Sequence, residues 1–145
     1  MNSLLILAGF VGVLVVWYCW LRYRQHQLAR MRSGRGFEEF AAYFPAETYP
    51  RDNLREVYKY FQGLQFVKNF PVDPNDDLYK VYGLCDEDLD DVVFELAERC
   101  RKRAPADADL EGQSPVRTVA DLVRFLSRLP QNTDYHWSRP GPINS

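Results

Sequence analysis

Only two histidines and three cysteines occur in the 145 residues, and neither type is arranged for chemistry. His26 follows a hydrophobic run and His136 lies near the C-terminus, and neither sits beside a nucleophile motif. A hydrolase or transferase built on a histidine base therefore lacks its parts. Cys19, Cys85 and Cys100 contain no C-x-x-C pair. They suggest neither a disulfide framework nor a zinc site, suit a reducing compartment, and are expected as buried or half-buried thiols. G-x-G-x-x-G and G-K-[ST] are missing too, which removes the common nucleotide-binding loops. Acidic residues are absent from residues 1–35, and charged side chains of either sign are absent from residues 1–21.

That charge-free stretch is also the most apolar. Residues 4–21, LLILAGFVGVLVVWYCWL, rise about 27 Å as a helix, close to the hydrocarbon thickness of a bilayer. Trp17, Tyr18, Trp20 and Tyr23 gather at its C-terminal end, where amphipathic rings favour the headgroup layer, and Arg22, Arg24, Arg30, Arg32 and Arg35 follow. Trp17, Trp20, Arg22 and Arg24 are the expected membrane-interface residues. The asymmetry of basic charge predicts a single-pass protein of the cell (inner) membrane, with its N-terminus outside and the rest cytoplasmic. A cleaved signal peptide would need basic side chains before the run and a small-residue site after it; aromatics and arginines stand there instead. Gly9 and Gly12 are spaced i, i+3 and form no G-x-x-x-G dimer motif. The arginines are expected to set topology and to touch anionic lipid.

Division of the chain exposes a second asymmetry. The formal charge is −2, yet residues 1–35 carry five arginines, which leaves 13 basic against 20 acidic side chains beyond them, a balance of −7. The reading is an anchor with a basic collar (1–35), one helical domain (36–129) and a flexible tail (130–145). An acidic domain repels nucleic acid phosphates and favours a protein partner with a basic surface, a membrane complex being one such setting.

Periodicity beyond the Ser33-Gly34-Arg35-Gly36 break predicts helices only. Residues 37–44 place Phe37, Phe40, Ala41 and Phe44 on one face. A helix from Asp52 or Asn53 carries Leu54, Val57, Tyr58 and Phe61 and ends near Gly63. Residues 64–70 fit either a continuation or an irregular piece. Residues 70–84 read as a loop, with Val72, Leu78, Val81, Tyr82 and Leu84 dipping into the core. The helix predicted over 87–103 has acids in its first turns and bases in its last, which suits the helix dipole, and buries Leu89, Val92, Val93, Leu96 and Cys100. After a polar connector with a turn near Leu110, a helix over 119–129 starts from Thr118, with Asp121 completing a capping-box variant and Val119, Leu122, Val123, Phe125 and Leu126 inward. The fold class is all-α: one transmembrane helix followed by a small helical bundle. Aromatics make up 14% of the chain and crowd residues 37–70, from Phe37 to Phe70. They read as core and as a seat against lipid headgroups, with a docking face for another membrane protein as the alternative.

Helix, long acidic loop, acid-started helix, polar connector and a final helix opening Thr118-Val119-Ala120-Asp121-Leu122 together resemble the acyl carrier protein family over residues 54–129. The resemblance implies a carrier-type bundle in which a glycine closes the long loop near a D-S-L motif, whose serine bears a phosphopantetheine arm. The corresponding stretch is Gly83-Leu84-Cys85-Asp86-Glu87-Asp88-Leu89-Asp90. Setting Glu87-Asp88-Leu89-Asp90 on D-S-L-D puts Asp88 at the serine, and a carboxylate cannot replace the hydroxyl in that phosphodiester. Ser3, Ser33, Ser114, Ser127, Ser138 and Ser145 all lie away from this helix start. No cofactor is therefore expected; what the resemblance retains is an acidic helix offered to a basic partner through Asp86, Glu87, Asp88, Asp90 and Asp91.

Alternating Asp86, Asp88 and Asp90 also prompt a comparison with a calcium loop. An EF-hand counted from Asp86 needs glycine at its sixth position and glutamate at its twelfth, where this chain has Asp91 and Ala97. No metal site and no catalytic residue are assigned. The expectation is a membrane-tethered, non-enzymatic adaptor or accessory subunit; the alternative is an acyl or lipid carrier-type protein working without the serine-linked arm.

Overall fold

The computed structural model of the chain describes residues 2–110 and 114–133. Its order is α1 (Asn2–Met31), α2 (Phe37–Ala42), α3 (Arg51–Gly63), α4 (Asp86–Arg99), α5 (Asp107–Leu110) and α6 (Val119–Arg128), with no strand among the described residues. The described residues are all-helical in class. The tail expected from Pro130 onward is described only to residue 133; residues 134–145, His136 among them, lie outside the described residues.

Thirty residues wind into α1, a continuous rod about 45 Å long. Residues Ser3–Met31 are long and apolar enough to cross a membrane, and none of the apolar window is buried against the rest of the chain. Near its C-terminal end the pattern changes. Leu21, Gln25, Leu28 and Arg32 become half-buried, at spacings of four, three and four that put them on one face. That face docks on the domain, so the anchor and the domain meet along a shared surface.

The domain core forms where α2 packs on α3, α3 on α4 and α4 on α6. Phe40, Ala41 and Phe44 meet Leu54, Val57, Tyr58 and Phe61, then Val92, Val93 and Leu96, then Val119, Leu122, Val123, Phe125 and Leu126. These are the apolar stripes that the 3.6-residue period marks. Boundaries differ where the backbone turns. The helix expected over 87–103 starts at Asp86 and stops at Arg99 because Arg101 adopts φ 56°. In the resulting turn the Arg101 amide donates to Glu98 O (2.9 Å) and the Lys102 amide to Ala97 O (2.7 Å), the pattern that ends a helix on a left-handed residue. Residues 64–70 are irregular, with Asn69 at φ 57°.

The long loop between α3 and α4 is held by its own polar groups. Asp73 Oδ1 accepts from the Asn75 amide (2.9 Å), and Asp77 Oδ1 accepts from the amides of Tyr79 (3.0 Å) and Lys80 (2.9 Å). Such Asx turns explain why aspartates crowd a proline-broken segment. The loop also terminates α6: the Val119 amide donates to Asp76 O (3.1 Å) and the Ala120 amide to Pro74 O (2.8 Å), so donors left unpaired at a helix start find carbonyls. Val72 and Leu78 are buried in the core and Tyr82 and Leu84 pack at its edge, as expected, while Val81 stays outside it.

Of the three thiols only Cys100 is buried; Cys19 and Cys85 are exposed, contrary to expectation. Cys19 lies exposed on α1 within the apolar run, and Cys85 precedes the first turn of α4. Burial, with Glu56 nearby, pushes the Cys100 thiol up to about 11.

Candidate functional site

Three groups of residues bear on function. The first is the end of the apolar run. Trp17 and Trp20 are exposed, with ring centroids 6.3 Å apart. The Arg22 guanidinium lies 5.9 Å from the centroid of Tyr18 and that of Arg24 5.7 Å from the centroid of Trp20. Each arginine thus lies against an aromatic ring near one turn earlier, the arrangement expected where a helix leaves hydrocarbon for headgroups.

A second group escaped the sequence reading. Arg32, expected to meet lipid, turns into the domain and forms a bidentate pair with Asp76: Nη1 donates to Oδ2 at 2.9 Å and Nη2 to Oδ1 at 2.5 Å. Asp76 is the one buried charged residue among those described, its side chain 1% exposed. Its carboxylate also accepts from the Tyr82 hydroxyl (2.9 Å) and the Asp73 amide (3.0 Å). Arg32 Nη1 donates further to Pro71 O (3.2 Å), and the guanidinium lies 5.9 Å from the Phe70 ring centroid. Burial pulls the Arg32 pKa down, but the hydrogen bonds and charge of Asp76 outweigh it and the net shift is upward. Burial and the charge of Asp76 raise Tyr82, which keeps its donating proton. Arg35 adds a looser pair to Asp73 at 3.6 Å. Two collar arginines therefore clamp the anchor to the loop. Leu21 and Leu28, on one face with Gln25 and Arg32, were the available signal, since leucines continuing past the aromatic end of the apolar run call for a protein neighbour; nothing in the sequence marks Asp76 over Asp73 or Asp77.

The third group is the acidic start of α4. Asp86, Glu87, Asp88, Asp90 and Asp91 are all exposed, and the structure brings them together on consecutive turns. They are not equivalent. Asp88 Oδ2 accepts from the amide (3.0 Å) and the thiol (3.0 Å) of Cys85, and both bonds lower its pKa. It is a helix cap. Asp86 Oδ1 accepts from the Tyr79 hydroxyl at 2.8 Å. No ion pair among the described residues includes any of the five. Phe94, 51% exposed, stands one turn beyond Asp90 and Asp91 on the same face. An uncovered ring amid unpaired acids is the kind of surface that proteins use for partners.

Several concavities lie beside these elements, one of about 530 Å³ lined by Asp91, Phe94, Glu95 and Glu98 among others. Another, of about 340 Å³, runs along α4 and is lined by Leu89, Val93, Phe94, Val116 and Phe125 among others. A further one, about 240 Å³, lies between α3 and α6 over Leu54, Val57, Cys100, Val123 and Leu126. Among the described residues no three His, Cys, Asp or Glu side chains are grouped to hold a metal ion. Comparison with protein-family models, curated proteins and solved structures finds no match to this chain.

Proposed function

We propose that the chain is a single-pass, non-enzymatic adaptor or accessory subunit of the cell (inner) membrane, its domain cytoplasmic and its acidic α4 face bound to a basic protein surface. The observation that carries this reading is the face itself: Glu87, Asp90 and Asp91 are exposed without ion pairs in the two turns that precede the uncovered Phe94 ring. The docked anchor adds to it. Because Arg32 and Asp76 clamp α1 to the loop, the α4 face is held at one orientation to the membrane, and a membrane-bound partner meets it at high local concentration. Topology follows from the basic residues at the end of the span.

Charge reversal of Asp90 and Asp91 to Lys tests it, with Phe94→Ala as a second probe. Asp88 is left intact because it caps the helix, so its reversal would confound folding with binding. Affinity purification of the full chain in mild detergent is expected to lose its partner in both variants; undiminished recovery would sink the adaptor reading.

A second reading rests on the groove beside α4. In the resemblance to acyl carrier proteins, α3, the long loop, α4, the short α5 and α6 follow the carrier order, and Asp88 stands at the serine position. An apolar groove of about 340 Å³ along α4 suits an acyl chain held without a covalent arm. Intact-mass measurement after co-expression with a phosphopantetheinyl transferase is expected to show no added arm, and a gain of the arm's mass would overturn the adaptor reading. Lipid extracted from the purified chain would favour the carrier reading.

A further inference from the structure

We propose that the loop after α3, residues 64–69, is a second membrane-contacting element, which sets Leu64 and Phe66 into the headgroup–acyl boundary of the leaflet on the domain's side. The inference rests on α1 spanning the bilayer. Phe66 is 58% exposed and Leu64 40% exposed, although neighbouring loop residues Phe70, Pro71 and Val72 are buried. The exposure of Phe66 is directed. The Phe66 amide donates to Gln25 Oε1 at 3.2 Å, while its ring meets Tyr18 edge-on at 5.8 Å. Gln25 and Tyr18 are seven residues apart, about 10 Å along the helix, so the ring reaches back down α1 toward the apolar run. Tyr18 belongs to the residues 4–21 that fill the span, and Leu21, also within it, is half-buried where the domain touches α1. The domain's lowest point thus passes the end of the apolar run.

Charge agrees with depth. The segment Leu-Gln-Phe-Val-Lys-Asn carries one exposed lysine, Lys68, and no acid, within a domain whose balance is −7. A neutral-to-basic tip bearing an aromatic and a leucine suits an anionic lipid surface, whereas the acidic α4 face would be repelled by it. Asn69, at φ 57°, turns the chain sharply back toward the buried Phe70, so the loop presents a short tip. With α1, the loop gives the domain two attachments to the bilayer, which fix its tilt.

The test uses nitroxide labels on the full chain in nanodiscs containing phosphatidylglycerol, with Cys19→Ser and Cys85→Ser and with Cys100 retained because it is buried. Labels go singly on Phe66→Cys and Leu64→Cys, with Val13→Cys inside the span and Phe94→Cys on α4 as references. Collisions with oxygen and with a water-soluble nickel chelate are compared by power saturation. Expected is a several-fold higher oxygen-to-chelate ratio at Phe66→Cys, and likewise at Leu64→Cys, than at Phe94→Cys, approaching the value at Val13→Cys. A lipid-like signal at Phe66→Cys alone still supports the contact. If both loop labels match Phe94→Cys while Val13→Cys stays lipid-like, the loop contact is wrong and the span stands. If Val13→Cys is itself open to the chelate, the span fails and the loop contact falls with it.

Discussion

Replacing Asp76 by Ala removes the acceptor that holds the anchor to the domain. Arg32 loses both of its charge-assisted bonds to that carboxylate, and the Tyr82 hydroxyl and Asp73 amide each lose a partner. Breaking one side of a buried ion pair costs about 3–5 kcal/mol because a charge is left desolvated. The Arg32 side chain keeps 16% of its surface, so some water reaches it and the lower end applies, about 3 kcal/mol. That loss multiplies the population of opened molecules by about 150, at 1.36 kcal/mol per tenfold. A domain holding about 5–15 kcal/mol still folds. Cys100 provides the assay, because a buried thiol reacts only on opening. With Cys19 and Cys85 changed to Ser, its labelling rate by a maleimide in detergent is expected to rise about 150-fold in Asp76→Ala. Adding Arg32→Met should recover part of the loss, since no charge then remains buried. A rise below about fivefold would place the pair with weak surface bridges and refute the clamp.

Thr118→Ala removes the hydroxyl that accepts from the Asp121 amide at 3.1 Å and should cost about 1 kcal/mol in thermal or urea unfolding. Acid should weaken the fold through its caps: the bonds from Cys85 hold Asp88 low, and at Asp121 burial pushes up while the Thr118 and Arg117 donors outweigh it. A folded-state pKa below the unfolded one gives stability that is full above about pH 4 and is lost as pH falls through the lowered values, so a circular dichroism titration should stay flat to about pH 4 and decline below it. Reversal of Asp90 and Asp91, which are exposed and form no ion pair, should change stability by less than about 1 kcal/mol while abolishing partner recovery.

Helices α2, α3, α4 and α6 were legible because each buries one stripe, and a stripe has a period. Val119, Leu122, Val123 and Leu126 predict α6, and Thr118 with Asp121 predicts its start, without knowledge of any neighbour. The acidic residues of α4 were equally visible, but not their division of labour. Asp88 is turned back onto Cys85 while Asp90 and Asp91 face outward, which depends on the angle at which the loop enters the helix. Two exposed thiols were misread for a similar reason: composition says how often a cysteine is buried, and only position says whether this one is.

Local order along the chain was sufficient for an apolar rod, a basic collar and a set of amphipathic helices, because those properties arise between residues a few positions apart. Which collar arginine stays on the outside of α1 and which meets a carboxylate 44 residues away was decided only by tertiary structure. The stability of that pair depends on the desolvation of both groups, and desolvation is created when the loop, the end of α1 and Tyr82 close around one carboxylate. No single segment contains that information.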